Sequence, residues 1–463
     1  MQTQSYRPYK LPEKLICDTD AIITIDLVRE YIAKHEEGAD RYKYLDDLYK
    51  GFHRIYSQLA KEKWKPDNRL AVNFPRYITD TFLGYAYGIP VKKTHKDAGF
   101  LASVELFDRR NAIADHDYEL AKMACIFGHA YEYVYQTEEA LTKVAIVNPM
   151  NCFIVYDDTV SRKALFAVRY GYKSDGRTLT GEVFTVSEIY DLTDKTLSSG
   201  RLNPYSHIPI TEYYLNAERI SIFEGISGKV DIYNKAIGEK ANDIDSFAEA
   251  YLAIMGAEIG EETVKNIRDN RFINVYNTDN AKDALVQFLT KPTADGSQEN
   301  LLDRLERLIY QTSMVANISD ENFGNASGTA LSYKLHSMSN LAMTFDRKMQ
   351  ESMRRRYRLF CSLSTNTPKK DAFDEIEYKV TRNVPKNLLE ESQIFQNLDG
   401  GDVSLETRLG TLSIVPDVKA EMKRVESEKE LQPDKVMNHY FEESNINDKS
   451  GVLEEARGGT TKA

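Results

Sequence analysis

This 463-residue chain is short of cysteine, of long apolar runs and of positive charge, and it carries no recognisable metal motif. Lys and Arg number 60 against 71 Asp and Glu, a formal net charge of −11. A protein that grips nucleic acid tightly needs a concentrated basic face, so this balance argues against one. Cys17, Cys125, Cys152 and Cys361 show no CxxC or other ligand spacing. They read as buried small hydrophobes in a reducing compartment. No apolar run reaches the roughly eighteen residues that a membrane span needs. Met1 to Lys10 is polar, so no signal peptide is expected. The sequons Asn317-Ile-Ser and Asn325-Ala-Ser then read as chance matches.

There is no HExxH, no Cys/His cluster and no EF-hand loop, so neither metal nor cofactor is expected. The eight histidines are scattered, and His129 and His336 read as structural. Gly225-Ile-Ser-Gly-Lys229 lacks the four-residue gap and the following Ser or Thr of a phosphate loop. No two carboxylates stand out as general acid and base. We therefore expect no catalytic residues and no enzyme.

What is present is an ordinary soluble composition, 42% hydrophobic and 28% charged, in a chain long enough for two or three domains. Residues 1–222 read as an α+β domain with helices first and strands second. Met1 to Asp20 reads as an arm. Helices are expected over Thr24–Glu36, from Leu45 to Leu59 ending at Pro66, from Asn73 to Tyr87, and through Leu106, Ile113, Leu120 and Ile126 to Gly128. From Tyr131 the texture becomes β-rich. Runs at Tyr131–Tyr135, Val144–Val147, Phe153–Tyr156, Leu165–Tyr172 and Glu182–Val186 suggest one antiparallel meander, with Pro209–Leu215 as its last strand.

The centre of the chain is Phe223 to Cys361. Val230, Ile237, Ile244 and Tyr251 repeat every seven residues, as do Ile226, Tyr233, Phe247 and Ile254 around Lys240. Both registers fall on one helical stripe, which favours a long seam against neighbouring helices. The predicted helix runs from Phe223 to Met255, roughly 48 Å at 1.5 Å per residue. Its other face, with Asp231, Glu239, Asp243, Asp245 and Glu249, reads as solvated and mildly acidic. A small insert follows, with a helix at Glu261–Asp269 and strands at Arg271–Val275 and Ala284–Leu289. Leu301, Leu305, Leu308 and Val315 resume the helical stripe. Ser319 to Gly328 breaks it with Gly, Asn and Asp. A third helix starts at Thr329 and runs to about Ser362. Near its end, Arg354, Arg355, Arg356 and Arg358 read as complements of the helix dipole, or as a contact for nucleic acid or a partner. A strand is expected at Ile376–Val380 and short helices at Asn387–Leu398, Leu405–Leu412 and Val418–Glu430. The charged, Gly-containing 431–463 reads as a mobile tail.

Several stretches in this order resemble the portal proteins of tailed bacteriophages, of the siphovirus type. They are Asn73-Phe-Pro-Arg-Tyr-Ile-Thr-Asp80 with Gly84-Tyr-Ala-Tyr-Gly-Ile-Pro90, Glu119-Leu-Ala with Ile126-Phe-Gly-His-Ala-Tyr131, Asn148-Pro, the acidic long helix, and Ser327-Gly-Thr-Ala-Leu-Ser-Tyr333. The resemblance covers about residues 25–430. It implies an α+β portal-type fold, with an α/β wing (1–222), stem helices (223–255 and 297–318) and a small α/β clip (256–296). A tunnel loop (319–328), a long spine helix and strand (329–386), and a helical crown (387–430) complete it.

The implied function is a head–tail connector: a homo-oligomeric ring, usually of twelve subunits, at one capsid vertex. It would conduct double-stranded DNA in packaging and ejection. Its implied partners are the terminase large subunit, a head-completion or adaptor protein, and the major capsid and scaffolding proteins, with no membrane. The ring would be assembled in the host bacterial cytoplasm and carried in the virion. Asp320, Glu321, Asn322, Phe323, Gly324, Asn325 and Gly328 would line the channel. Val230, Tyr233, Ile237, Ile244, Phe247 and Tyr251 would pack subunits together in the stem. A nuclease or motor subunit is the alternative from another class, and it needs clustered carboxylates or a true phosphate loop. Another head–tail ring adaptor is the second alternative, but the long central helices argue against it.

Overall fold

The computed structural model describes residues 13–62, 65–248, 251–255, 285–289, 295–319, 328–384, 388–399, 401, 403–412, 414–415 and 417–431. A short strand, β1 (Leu15–Cys17), precedes α1 (Ile25–Glu36). Thr24 Oγ1 accepts from the Leu27 amide at 3.3 Å and caps α1. Helix α2 (Ala39–Lys50) stops at Gly51, which takes the left-handed conformation at φ 92. The expected helix to Leu59 therefore ends early. Only a single 3-10 turn, Arg54–Ser57, follows, and Leu59 is 95% exposed. Helix α3 (Phe74–Tyr87) begins where predicted: Asn73 caps it and Pro75 occupies the first turn. Strand β2 (Lys92–Thr94) leads to α4 (Ala98–Arg110) and α5 (Ile113–Phe127). The sequence pattern reads across both as one segment. The backbone breaks it at Ala112, in the left-handed region at φ 48.

The strand region is β3 (His129–Gln136), β4 (Thr142–Val147), β5 (Cys152–Asp157), β6 (Ala164–Tyr172), β7 (Leu179–Phe184), β8 (Glu188–Thr193), β9 (Arg201–Leu202) and β10 (Ile210–Tyr214). It forms two sheets rather than the expected single meander. Among the described residues the orders are β1-β5-β6-β7-β8-β9 and β10-β3-β4. The chain leaves one sheet for the other at the capped turn Asn148–Asn151, after β4. Strand β1 pairs parallel with β5, Leu15 opposite Val155, although the sequence suggests an arm there. Three residues carry too little pattern to reveal a partner some 140 positions away. Alternation along β5 shows both sheet faces buried. Phe153 and Val155 pack with Val28, Tyr31 and Ile32 of α1, while Cys152 and Ile154 pack with Tyr131, Ile208 and Ile210.

Helix α6 (Ser227–Ala248) is followed by β11 (Tyr251–Met255), which pairs antiparallel with β12 (Leu285–Leu289). The helix expected to reach Met255 thus ends at Ala248, and Tyr251 lies in a strand. An apolar run such as Tyr-Leu-Ala-Ile-Met suits either structure, and only its cross-strand partner decides. The expected helix at 261–269 and strand at 271–275 lie outside the described residues. Helix α7 (Asp295–Ser313) stops before left-handed Met314, short of the expected Ile318. The 35-residue α8 (Gly328–Ser362) precedes β13 (Glu377–Lys379), which pairs with β2. The chain divides into two compact units, residues 1–325 with 331–383, and 326–330 with 384–463. In the second, α9 (Leu388–Asn397), α10 (Leu405–Leu409) and α11 (Val418–Leu431) follow the expected helices, and Arg408 pairs with Asp399 at 2.6 Å.

Helix α8 buries Leu335, Met338, Ala342, Phe345, Met349 and Met353 as one stripe. Its basic run plays a role the sequence did not reveal. Arg356 is fully buried, with Nη2 2.7 Å from both Glu132 on β3 and Asp117 on α5. His116 Nε2 lies 2.8 Å from the same Glu132, and Tyr213 donates to its other oxygen at 2.9 Å. Burial pushes the Glu132 carboxyl up; the Arg356 charge and the His116 hydrogen bond override that and hold it at about 2. A second cluster centres on buried Glu212, which pairs with Arg219 and His129 and accepts from Tyr156. His129 uses both ring nitrogens, on Glu212 and on Tyr42, and is structural as expected. All four cysteines are buried thiols.

Two outcomes follow for stability. Gly128 sits at φ +89, and an added Cβ would lie 2.0 Å from the Arg219 carbonyl oxygen. Gly128→Ala should therefore lower stability by at least about 2 kcal/mol; an unaltered thermal midpoint would contradict this. Glu132 is held below its ordinary value of 4.5, so its contribution is complete above that pH and lost as pH falls toward 2. Glu132→Gln should cost about 3 to 5 kcal/mol at neutral pH by stranding the Arg356 charge. The variant should then lose less further stability than the parent between pH 4.5 and 2. Denaturant titrations across that range measure both effects, and parallel pH curves would count against the assignment.

Candidate functional site

The paired helices α6 and α7 run antiparallel. Lys240 pairs with Glu299, Gln298 Nε2 reaches Asp243 Oδ2 at 3.5 Å, and further along Phe74 packs edge-on to both Tyr233 and Tyr310. Leu302, Leu305 and Ile309 of α7 and Val230 of α6 are buried within this one chain. Val230 therefore has no surface to offer a neighbouring subunit. Tyr233 is half-buried against Phe74, and Ile237 is half-buried. Ile244 is 62% exposed and Ile232 55%. On α7, Leu301 is 46% exposed and Leu308 36%. The predicted stripe is thus split between packing inside the chain and side chains left bare. The side chain of Phe247 lies outside the described residues, and Tyr251 sits in β11.

The face expected to be solvated is instead partly covered. Residues 54–62 and 65–72 lie across it as a strap. The Val72 amide donates to Asn234 Oδ1 at 2.8 Å, and the Asn68 amide donates to Asn242 Oδ1 at 2.6 Å. Between them Gly238 leaves room for the backbone: a Cβ there would lie 2.9 Å from the Asn68 carbonyl oxygen. Charges reinforce the strap. Arg54 lies 3.5 Å from Asp231, and Lys61 donates to Glu239 at 2.8 Å. Burial raises the Asp231 carboxyl, while the Lys61 hydrogen bond lowers that of exposed Glu239. Sequence reasoning missed this face, although Asn234, Gly238 and Asn242 form a visible signal. Three weak helix formers at four-residue spacing on one face of a long helix need a reason.

The loop between α7 and α8 has its leading edge tied down. Tyr77 Oη accepts from the Ile318 amide at 3.1 Å and lies 3.3 Å from Ser319 Oγ. Asn317 Nδ2 donates to Glu306 at 3.2 Å. Asp320, Glu321, Asn322, Phe323, Gly324 and Asn325 lie outside the described residues, and Gly328 is the first residue of α8. Gly225 to Lys229 forms a 3-10 turn running into α6, with Lys229 Nζ donating to the Gly225 carbonyl oxygen, after an antiparallel strand. That is not the setting of a phosphate loop. Among the described residues no three His, Cys, Asp or Glu side chains are placed to hold a metal, and no helix is long and apolar enough to cross a membrane.

The sequence is similar to that of known proteins. The family described as phage portal protein, SPP1 Gp6-like, matches residues 28–434. A portal protein of Bacillus phage SPP1 is 24% identical, over 95% of this chain and 88% of that relative. A portal protein of Clostridium phage phiCD119 is 21% identical, over 81% of this chain and 88% of its own length. Among solved structures, a chain from the neck of an empty GTA particle computed with C6 symmetry covers 80% of this chain and 93% of that one. It aligns at TM-score 0.46 and 12% identity. With the family match spanning the sheets, the paired helices and the long helix alike, this chain belongs to the phage portal protein family, SPP1 Gp6-like.

Proposed function

We propose that this portal-family chain assembles into a ring at one capsid vertex and conducts double-stranded DNA through the centre of that ring. The observation that carries the proposal is the pair of bare isoleucines on α6, Ile232 and Ile244. Ile232 and Ile244 are twelve residues apart, so they point about 120° away from each other at 100° per residue. Ile244 continues the seven-residue register of Val230 and Ile237 toward the end of α6, and Ile232 stands off that stripe. A head-to-tail ring needs two different faces on each subunit, one for each neighbour. Ile232 at 55% exposure and Ile244 at 62% supply one apolar contact on each side.

Ring dimensions agree with a duplex. Twelve helices spaced by about 10 Å make a circle roughly 38 Å across at the helix axes. Removing one helix diameter of about 10 Å leaves a bore near 28 Å. An acidic chain of net charge −11 suits a wall that DNA slides past, because few cations would hold its phosphates by counterion release. In this reading the 256–296 insert docks the terminase motor and later the head-completion protein. The 319–328 loop faces the DNA, and 387–430 forms a crown beside capsid and scaffolding proteins. The ring would assemble in the bacterial cytoplasm and remain in the virion, and ATP hydrolysis would belong to the separate motor.

Two experiments test the reading. Ile244→Asp should abolish the ring while leaving the subunit folded, so sedimentation should fall to that of a single chain of 52.9 kDa. Rings that persist unchanged would sink the interface. Replacing Gly324 and Gly328 together with Val should leave rings intact on negative-stain grids yet cut DNA packaging at least tenfold. Full packaging by that double variant would remove the loop from the channel.

A further inference from the structure

A cavity of about 650 Å³ lies between the C-terminal half of α8, the tip of the β5–β6 hairpin and β10. Small-molecule sites typically span about 300 to 1,000 Å³. Its charge runs against that of the chain. Two ion pairs in the wall are self-contained: Arg219 with Glu212, and Lys348 with Glu351 at 4.0 Å. What remains is Lys14, Arg162, Arg354, Arg355 and Arg358 against the single carboxylate of Asp374, a surplus of four positive charges. Among the described residues Arg354, Arg355 and Arg358 have no carboxylate within ion-pair distance. Arg355 Nε is buried without a hydrogen-bond acceptor, and its Nη2 makes one long contact, 3.4 Å to the Ile208 carbonyl oxygen. Burial lowers the Arg355 pKa, Tyr156 opposes that, and the like charge of Arg358 adds to the lowering. An acidic protein that collects cations and leaves a guanidinium edge unpaired lacks the anion that would settle them.

We propose that this cavity is a binding site for a small polyanion bearing two or more linked phosphates. Guanidinium forks match phosphate oxygens in bidentate geometry. A terminal phosphate carries about −1.5 to −2 charges near neutral pH, so two phosphate groups match the surplus while chloride or one carboxylate does not. The walls admit a ligand of that size and exclude a duplex, which could touch only the rim. The site is separate from the bare isoleucines of α6 and stands whether or not the ring reading holds.

Pyrophosphate is the probe, titrated calorimetrically into the purified full-length protein at fixed ionic strength, with sulfate and a short DNA duplex as parallel arms. The expected result is saturable binding of pyrophosphate, at least tenfold tighter than sulfate. Arg354→Gln with Arg358→Gln should weaken it at least tenfold; both side chains are exposed, so the unliganded melting temperature reports whether the fold survives. Asp374→Asn removes the opposing carboxylate and should tighten binding about threefold, a gain that misfolding cannot mimic. Equal binding of sulfate, indifference to all three substitutions, or arginine-dependent binding of the duplex with none of pyrophosphate would each overturn the proposal.

Discussion

A buried guanidinium must be answered by carboxylate, and that constraint holds this molecule together. Arg356 carries a charge into the dry junction of α8, α5 and β3, where an uncompensated ion costs several kcal/mol. Glu132 and Asp117 answer it from two different elements, and His116 and Tyr213 fill the remaining hydrogen bonds of Glu132. Charge pairing is more selective than apolar contact: sliding α8 by one turn would keep its greasy stripe covered but strand Arg356. The long helix is thereby held in register on the sheet domain. One turn away, Ser352 of α8 adds a hydrogen bond at 2.7 Å to the backbone carbonyl of Glu212, whose side chain pairs with Arg219.

The same economy of polar contacts shapes the paired helices. One side of α6 is closed by α7, another by a strap that bonds through Asn234 and Asn242 and passes over Gly238. Those two coverings still leave Ile232 and Ile244 in water. Apolar surface left bare at two positions about 120° apart on one helix is costly for a lone subunit at about 25 cal/mol per Å². It becomes useful when copies stand side by side. Membership of the portal family and this unfinished packing therefore point the same way, the first from sequence similarity and the second from burial.

Charge is distributed by task. The chain as a whole is acidic, and the acids along α6 are engaged by Arg54, Lys61 and Asn68 rather than simply solvated. Cations concentrate instead behind α8. Arg356 there is sealed with partners, while Arg354, Arg355 and Arg358 border an open cavity. Neighbouring positions on one helix thus serve opposite ends, because successive residues point about 100° apart.

The sequence alone determined the helix starts that carry their own caps, at Thr24 and Asn73, and the stripe of α8 from Leu335 to Met349. It also determined the β-rich run from Tyr131 and the family itself, since motif order survives without a partner. Local chemistry suffices for these, because caps and amphipathic periods act over one or two turns. Tertiary structure decided the rest. Tyr251 became a strand residue because Leu289 lies opposite it, and the meander became two sheets because β1 and β10 arrive from distant parts of the chain. A run of arginines was divided into one buried ion and several cavity-lining ones. Such outcomes depend on which surfaces meet and how much water is expelled, and no window of neighbouring residues contains that information.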